Sequence, residues 1–431
     1  MTLPRSADVI VVGTGIVGAA SAASIAARGA SVVVLEKEDG PAREGSGRAQ
    51  GSLRVQGRHS AELPLAQEAL TLWRAAADED NDFEFVMGGN LYFQTTDDEL
   101  PVLRRLVDDA HRAGLTGVEL LDAEQTRTII PAATGPFLGA MWSPTDAACQ
   151  PAKATRHFVG RATRAGVHIA YGVKVIELLM AGGRIAGVHT TAGPVAANAV
   201  VLAGGVWTPY LANTLGVKVP LMPVVMSELE TQPVTPCFTQ TIRAFGFGAR
   251  QRPDGRTVVS AGLNAKVGHE VSLADLNGLR FWLPRAMAFR KNIKLHLDAR
   301  RIIEQLRHRS TLSTQLVPDA SPQPTTDRPL VDSALARLST LIPQMGSVGA
   351  ARYWAGLVDL TPDGLPIIDG GAGPDGLTVI TGLCGHGLAL GPVLGEIAAD
   401  LALTGATARP IDAFRLARYT TGTVDHPEMT I

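Results

Sequence analysis

Gly13, Gly15 and Gly18 spell GxGxxG between an apolar run, Asp8 to Val12, and an Ala-rich stretch, Gly18 to Ala27. A second apolar run, Ser31 to Leu35, follows. The order is strand, tight turn, helix, strand, and buried parallel strands read as continuous apolar runs of this kind. Gly29 marks the helix end. Each fingerprint glycine has a task. Gly13 permits the tight turn, Gly15 lets the backbone approach a pyrophosphate, and Gly18 lets the helix pack on the strand. The helix N-terminus attracts the phosphate charge. Glu36 ends the second strand, roughly 20 residues on, where an acid holds ribose hydroxyls. The chain therefore opens with an α/β dinucleotide-binding unit. An acid at this place does not separate NAD from FAD.

The chain has 431 residues, 45% hydrophobic and 19% charged, which is material for a large core and for two or three domains. A formal net charge of −2 gives no electrostatic reason to expect nucleic acid. Cys149, Cys237 and Cys384 form no CxxC pair and no disulfide framework, which fits a reducing compartment. No basic segment with a cleavage site is read at the N-terminus. The expected localisation is cytoplasmic. No metal site is expected. Val9 to Ala27 and Gly376 to Gly395 approach the length of a membrane span. Glycines interrupt both, and His386 lies in the second. Both read as buried strand–turn–helix units, so no membrane span is expected.

Farther along, Glu62 to Ala77, Pro101 to Ala113 and Pro151 to Ala165 read as helices, and Asn90 to Thr95 and Ala199 to Ala203 as strands. Gly172 to Leu179 and Arg184 to Thr190 read as strands joined through Gly182 and Gly183, a hairpin signal. Val217 to Val331 is mixed. Within it, Arg280 to Arg309 reads as solvated helical faces, with a docking surface for an electron acceptor or subunit as the alternative.

The rest of the chain separates the two cofactors. Four further motifs recur in order: Gly45-Ser46-Gly47-Arg48-Ala49-Gln50-Gly51; Ala203-Gly204-Gly205-Val206-Trp207; Trp354-Ala355-Gly356-Leu357 with Thr361-Pro362-Asp363-Gly364; and Gly385-His386-Gly387, followed by Pro392 and Gly395. With these the sequence resembles the FAD-dependent D-amino-acid oxidase superfamily, nearest its glycine oxidase, sarcosine oxidase and bacterial D-amino-acid dehydrogenase branch. The resemblance runs through both ends of the chain and is weak in Val217 to Ser321.

The resemblance implies a non-covalent FAD. Gly13, Gly15, Ile16, Val17 and Gly18 would take the pyrophosphate, and Glu36 with Lys37 the adenosine ribose. Ser46, Gly47, Arg48, Gln50, Gly51 and Ser52 would line the pyrophosphate and isoalloxazine, and Val175 would flank the adenine. Ala203, Gly204 and Trp207 would line the channel. Gly382, Gly385, His386, Gly387 and Leu388 would face the flavin pyrimidine, where oriented N–H groups stabilise the negative charge of reduced flavin.

In such proteins a hydride leaves the amine-bearing carbon for flavin N5, and the protein supplies orientation and electrostatics. Relatives that act on amino acids hold the carboxylate with Arg or Lys. Here Val358 and Ala389 stand where those relatives carry Arg and Lys. That favours a secondary or N-substituted amine. Arg54, Arg58 and Arg352 remain as substitute anchors or as structural ion pairs. Tyr353 and Trp354 read as pocket wall or core filling, His386 as flavin-adjacent or structural, and Lys266 as an oxygen-activating or a surface lysine.

The expected fold is α/β, α+β overall. A Rossmann-like FAD-binding domain (1–85, 141–216, 326–431) interleaves with an antiparallel-sheet substrate domain (86–140, 217–325). The expected activity is oxidation of a C–N bond in a small amine or amino acid, with oxygen or an electron-transfer partner as acceptor. The alternative is a flavin-binding subunit of a heteromeric dehydrogenase complex. A homo- or hetero-oligomer fits both.

Overall fold

The structure is a computed structural model. It describes residues 3–262, 267–273, 275, 281–282, 293–307, 312–321 and 323–421.

The first sheet runs in the order Ile367–Asp369, Leu377–Thr381, Gly193–Leu202, Ser6–Val12, Val32–Glu36, His168–Tyr171. Ser6–Val12 lies at its centre and pairs in parallel on both sides. A central parallel strand has helices or loops over both faces, which is why Val9 to Val12 are all buried. On one face, helix Ile16–Ala27 packs with Gly387–Thr404 and Pro151–Arg164, and Leu63–Glu79 packs on Gly387–Thr404. Close helix contact needs small residues. A Cβ at Gly395 would stand 2.7 Å from the Ala20 backbone, and one at Gly391 2.4 Å from Ile16. Gly387–Thr404 is long and apolar enough to cross a membrane, but it is packed inside the fold and apolar for that reason. The hairpin Val175–Ala181/Arg184–Thr190 turns through Gly182 (φ 58°) and Gly183 (φ 80°). Both φ values are positive, as a two-residue hairpin turn requires.

The second sheet runs in the order Ile293–Leu297, Val267–Val271, Met222–Thr231, Thr257–Ala261, Phe247–Gln251, Thr241–Ala244, Asn90–Gln94, Gly139–Ser143, Glu119–Asp122. It is mostly antiparallel. Thr241–Ala244 with Asn90–Gln94, and Val267–Val271 with Ile293–Leu297, are parallel pairs. Ala350–Leu360 pairs along its whole length with Met222–Thr231. Helix Arg328–Leu341 buries Val331 and Leu338 in the same core as Ile242, Ala249 and Val259. Both segments were grouped by sequence with the dinucleotide-binding unit. Their apolar faces go to the second sheet instead. Within Arg280 to Arg309, the described residues form strand Ile293–Leu297 and helix Ala299–Arg307, so the solvated helix holds for only part of it.

Glu84 fastens the two layers together. Arg252, beyond strand Phe247–Gln251, and Lys153, on helix Pro151–Arg164, each reach it at 2.9 Å. Burial alone raises the Glu84 carboxyl, but the two cations outweigh it and pull it from 4.5 down to about 2. A lowered folded-state pKa gives stability that is complete above the unfolded value and fades as pH falls through the folded one. Glu84→Gln therefore lowers Tm at pH 7. The melting curves of the two proteins converge as pH drops from 4.5 to about 2.

Candidate active site

A channel begins at the C-terminal end of strand Val32–Glu36 and passes the glycine turn. It continues along Ala203 and Gly204 to the turn before helix Gly387–Thr404, then opens under the second sheet. It lies beyond the carboxyl ends of the parallel strands, where open α/β sheets take ligands.

The glycine turn has the geometry its sequence announces. Gly13 has φ 105°, and a Cβ there would stand 2.7 Å from the Ala203 carbonyl oxygen. A Cβ on Gly18 would stand 2.0 Å from the Gly13 carbonyl oxygen, so Gly18 is what lets helix and strand touch. Gly15, Ile16 and Val17 face the channel. Ile16 N–H donates to Ser46 Oγ at 2.9 Å. The first turn of this helix carries no acid and no side-chain cap, so its positive end is open to an anion. Glu36 accepts from Thr14 N–H at 2.7 Å, Thr14 Oγ1–H at 2.8 Å and Glu38 N–H at 2.9 Å, which fixes its carboxylate at the channel. Lys37 bonds Glu38, Glu44 and Ser321, and Trp207 Nε1–H donates to both Glu44 oxygens at 2.9 Å. Glu44 carries no motif and was missed by sequence reading.

Arg48, Gln50, Ser52, Val175, Gly385, His386, Gly387 and Leu388 also line the channel. Four glycines of the expected set stand behind it. Gly47 and Gly51 meet backbone, since a Cβ would lie 1.8 Å from the Ala42 oxygen and 2.2 Å from the Cys149 oxygen. Gly382 N–H is spent on Asp359 Oδ2 at 2.7 Å. With Gly18 these glycines shape the wall and do not form it.

The residues fit FAD on their own chemistry. Two helix N-termini, Ile16–Ala27 and Gly387–Thr404, border one channel, and neither has an acid in its first turn. The channel spans from the Glu36 carboxylate to a glycine turn of open space, where Gly385 has φ 81° and, among the described residues, only Val358 within 4 Å of its Cβ position. The sequence profile described as FAD dependent oxidoreductase, DAO, matches residues 8–401. The chain belongs to this family.

DAO relatives among curated proteins include D-amino acid dehydrogenases. That of Cereibacter sphaeroides is 27% identical over 289 residues, 64% of this chain and 51% of its own length. That of Paramagnetospirillum magneticum is 27% identical over 312 residues, 72% of this chain and 61% of its own. The chain thus spans about half to three fifths of the curated relatives it matches. Among solved structures, the L-amino acid deaminase of Proteus myxofaciens superposes with TM-score 0.86 at 22% identity, covering 97% of this chain and 95% of its own. Glycine oxidase from Geobacillus kaustophilus gives TM-score 0.78 at 23% identity, covering 96% and 99%. These place the fold in the same DAO architecture. FAD is the cofactor of the family.

Past the flavin turn the DAO channel becomes cationic. Arg54 is enclosed by protein, and its remaining exposed surface faces the cavity together with Arg243 and Tyr92. Arg243 lies over the Tyr92 ring at 4.6 Å. Among the described residues no carboxylate pairs with Arg54 or Arg243. Burial first, then Arg243 and Arg58, push the Arg54 guanidinium well below its usual range. Arg243 comes from the mixed middle of the chain, and no sequence signal singled it out.

Behind this wall Arg58 Nη1 stands 3.4 Å from Glu62 Oε2, which in turn meets His386 Nδ1 at 2.8 Å. All three are buried. Arg58 is therefore a structural ion pair that does not reach the cavity. Burial, opposed by Glu62, pulls His386 down to about 4, so its ring is neutral at pH 7. A neutral ring that donates Nδ1–H to Glu62 leaves Nε2 as an acceptor, and this buried atom has no partner. Asp146, also buried, is raised by burial to about 6 and holds Val55 N–H at 2.9 Å.

Three expected substrate contacts lie elsewhere. Arg352 is exposed and lies over Trp354 at 4.7 Å. Tyr353 donates to Asp332 at 2.7 Å, and Trp354 Nε1–H donates to the Arg48 carbonyl at 2.9 Å. None of the three lines the channel. Strand alternation turns Arg352 and Trp354 to one face and Tyr353 to the other, so the run could not act as one wall. Lys266 lies outside the described residues. Val358 borders the channel, whereas Ala389 is buried in its helix with its carbonyl on Trp73 Nε1 at 3.0 Å.

Proposed function

We propose that this flavoprotein oxidises the C–N bond of an amino acid whose carboxylate sits on Arg54 and Arg243. The observation that carries this reading is the unpaired cationic pair at the far end of the FAD channel. Among the described residues, the carboxylates acting on Arg54 and Arg58 are Asp146 and, for Arg58, Glu62, and Glu62 is taken by Arg58 and His386. An anion would complete the balance, and charge-assisted bonds from two guanidiniums would fix the substrate's orientation. This anchor replaces the Arg and Lys that Val358 and Ala389 displaced. It supports a carboxylate-bearing substrate, N-substituted or not, over a simple amine.

Bound FAD supplies the acceptor for the two electrons that leave with the α-hydrogen. The chain's own groups do the rest. Arg54 and Arg243 hold the carboxylate. Met226, Leu357 and Val358 give the cavity an apolar wall that excludes water and takes carbon substituents. The neutral His386 Nε2 offers an acceptor at the flavin turn. The substrate loses the α-hydrogen and an amine proton and becomes an imine. Water then converts the imine to a 2-oxo acid and an amine. The D-amino acid dehydrogenase and glycine oxidase names of DAO relatives support the same class.

The test compares amino acids with their amides and with the amines lacking a carboxylate. Formation of a 2-oxo acid from the free acids only supports the reading. Equal turnover of the amides overturns the carboxylate anchor.

A further inference from the structure

The second sheet carries one row of side chains across five strands. Cross-strand partners follow Tyr92, Arg243, Gly248, Ser260, Glu228 in register. All five line the same cavity. Arg243, at one end, belongs to the anion site. Glu228, at the other, is a carboxyl buried to 6% exposure whose Oε2 has no hydrogen-bond partner. Gly248 in the middle makes room for the Gln50 side chain, which a Cβ there would approach to 3.0 Å. Gln50 Nε2 is likewise buried without a partner.

The charges around Glu228 do not satisfy it. Arg250, two strands away, directs Nε to the Gln50 carbonyl at 2.8 Å. Arg352, on the directly paired strand Ala350–Leu360, is exposed and lies over Trp354. No cation comes within ion-pair distance of Glu228 among the described residues. A buried polar oxygen without a partner costs stability unless a ligand completes it.

We propose that Glu228 is a specificity-determining residue, forming with Gln50 a second subsite that takes a basic nitrogen on the substrate's side chain. The substrate would then be bipolar, with its carboxylate at Arg54 and Arg243 and an ammonium at Glu228. Three strand spacings separate Arg243 from Glu228, roughly 14 Å between backbones. The α-amine is one carbon from the carboxylate, so the group that reaches Glu228 belongs to the side chain. Burial pushes the Glu228 carboxyl up to about 8, with Arg250, Trp354 and Arg352 pulling the other way. The carboxyl thus holds a proton at pH 7 and gives it up when a cation docks. This inference rests on the anion anchor proposed above.

The experiment uses the FAD-loaded protein and two unreactive ligands of matched shape, 5-aminopentanoate and hexanoate. Binding is followed by the flavin absorption change and by calorimetry in buffers of different ionisation enthalpy. The wild type should bind 5-aminopentanoate at least ~10-fold tighter than hexanoate at pH 7, and release about one proton. Glu228→Gln should bind the two alike and release none. Equal binding by the wild type, or a preference that survives in Glu228→Gln, overturns the subsite. Hexanoate binding that is lost in Arg54→Gln/Arg243→Gln keeps the anion anchor standing in that case. Hexanoate binding unaffected by those two substitutions overturns the anchor itself.

Discussion

Arg54→Gln/Arg243→Gln should keep its FAD and lose its amino-acid substrate. Each charge-assisted bond to a carboxylate contributes about 1.5–3 kcal/mol. Two such bonds predict a rise in KM of ~100-fold or more. The folded state should not suffer. Among the described residues both cations lack a carboxylate partner, and burial together with Arg243 and Arg58 already disfavours the charge on Arg54. Removing one of two like charges that repel relieves that repulsion. The Tm of the double variant should therefore equal or exceed that of the wild type, and the flavin spectrum should stay the same. Steady-state kinetics on one amino acid and on its amide separates the contributions. The free acid should lose its advantage over the amide. A substrate affinity untouched by both substitutions would place the carboxylate elsewhere.

Gly18→Ala is the second large effect, and it acts on the cofactor. The new methyl would stand 2.0 Å from the Gly13 carbonyl oxygen, against backbone that cannot swing aside. The helix would have to lift off its strand, carrying its N-terminus and the Val17 N–H away from where a pyrophosphate would bind. Overpacking of this kind costs about 3 kcal/mol. The loss of FAD should be near complete. Flavin absorbance per protein after desalting, with the melting temperature of the same sample, measures both consequences. Gly29→Ala is the control, since nothing lies within 4 Å of a Cβ there, although its φ of 87° gives it a smaller strain of its own.

How much of this was legible in the sequence follows from the range of each interaction. The glycine turn is local, so three glycines and two apolar runs announced it. Glu36 was legible for the same reason, as the residue that ends the next strand. Arg243 and Glu228 were not. They come from strands that carry no motif, and only the cross-strand register puts them in one row with Tyr92 and Ser260. Arg58 was read as an anchor or a structural ion pair, and the sequence could not choose because Glu62 and His386, its buried companions, are drawn together by packing between distant segments. Ala350–Leu360 was assigned to the dinucleotide unit because its end adjoins the Thr361–Gly364 motif. Its pairing with Met222–Thr231 is a non-local choice. Ala389 was read as the position where relatives carry a Lys, and the helix turns it into the core.

The central claim is that bound FAD oxidises an amino acid held by its carboxylate. The most direct measurement is the visible spectrum of the purified protein during anaerobic mixing with a panel of amino acids and their amides. Flavin bands should bleach with at least one free amino acid and persist with its amide. Failure to take up FAD, or bleaching by the amide as fast as by the acid, would contradict it.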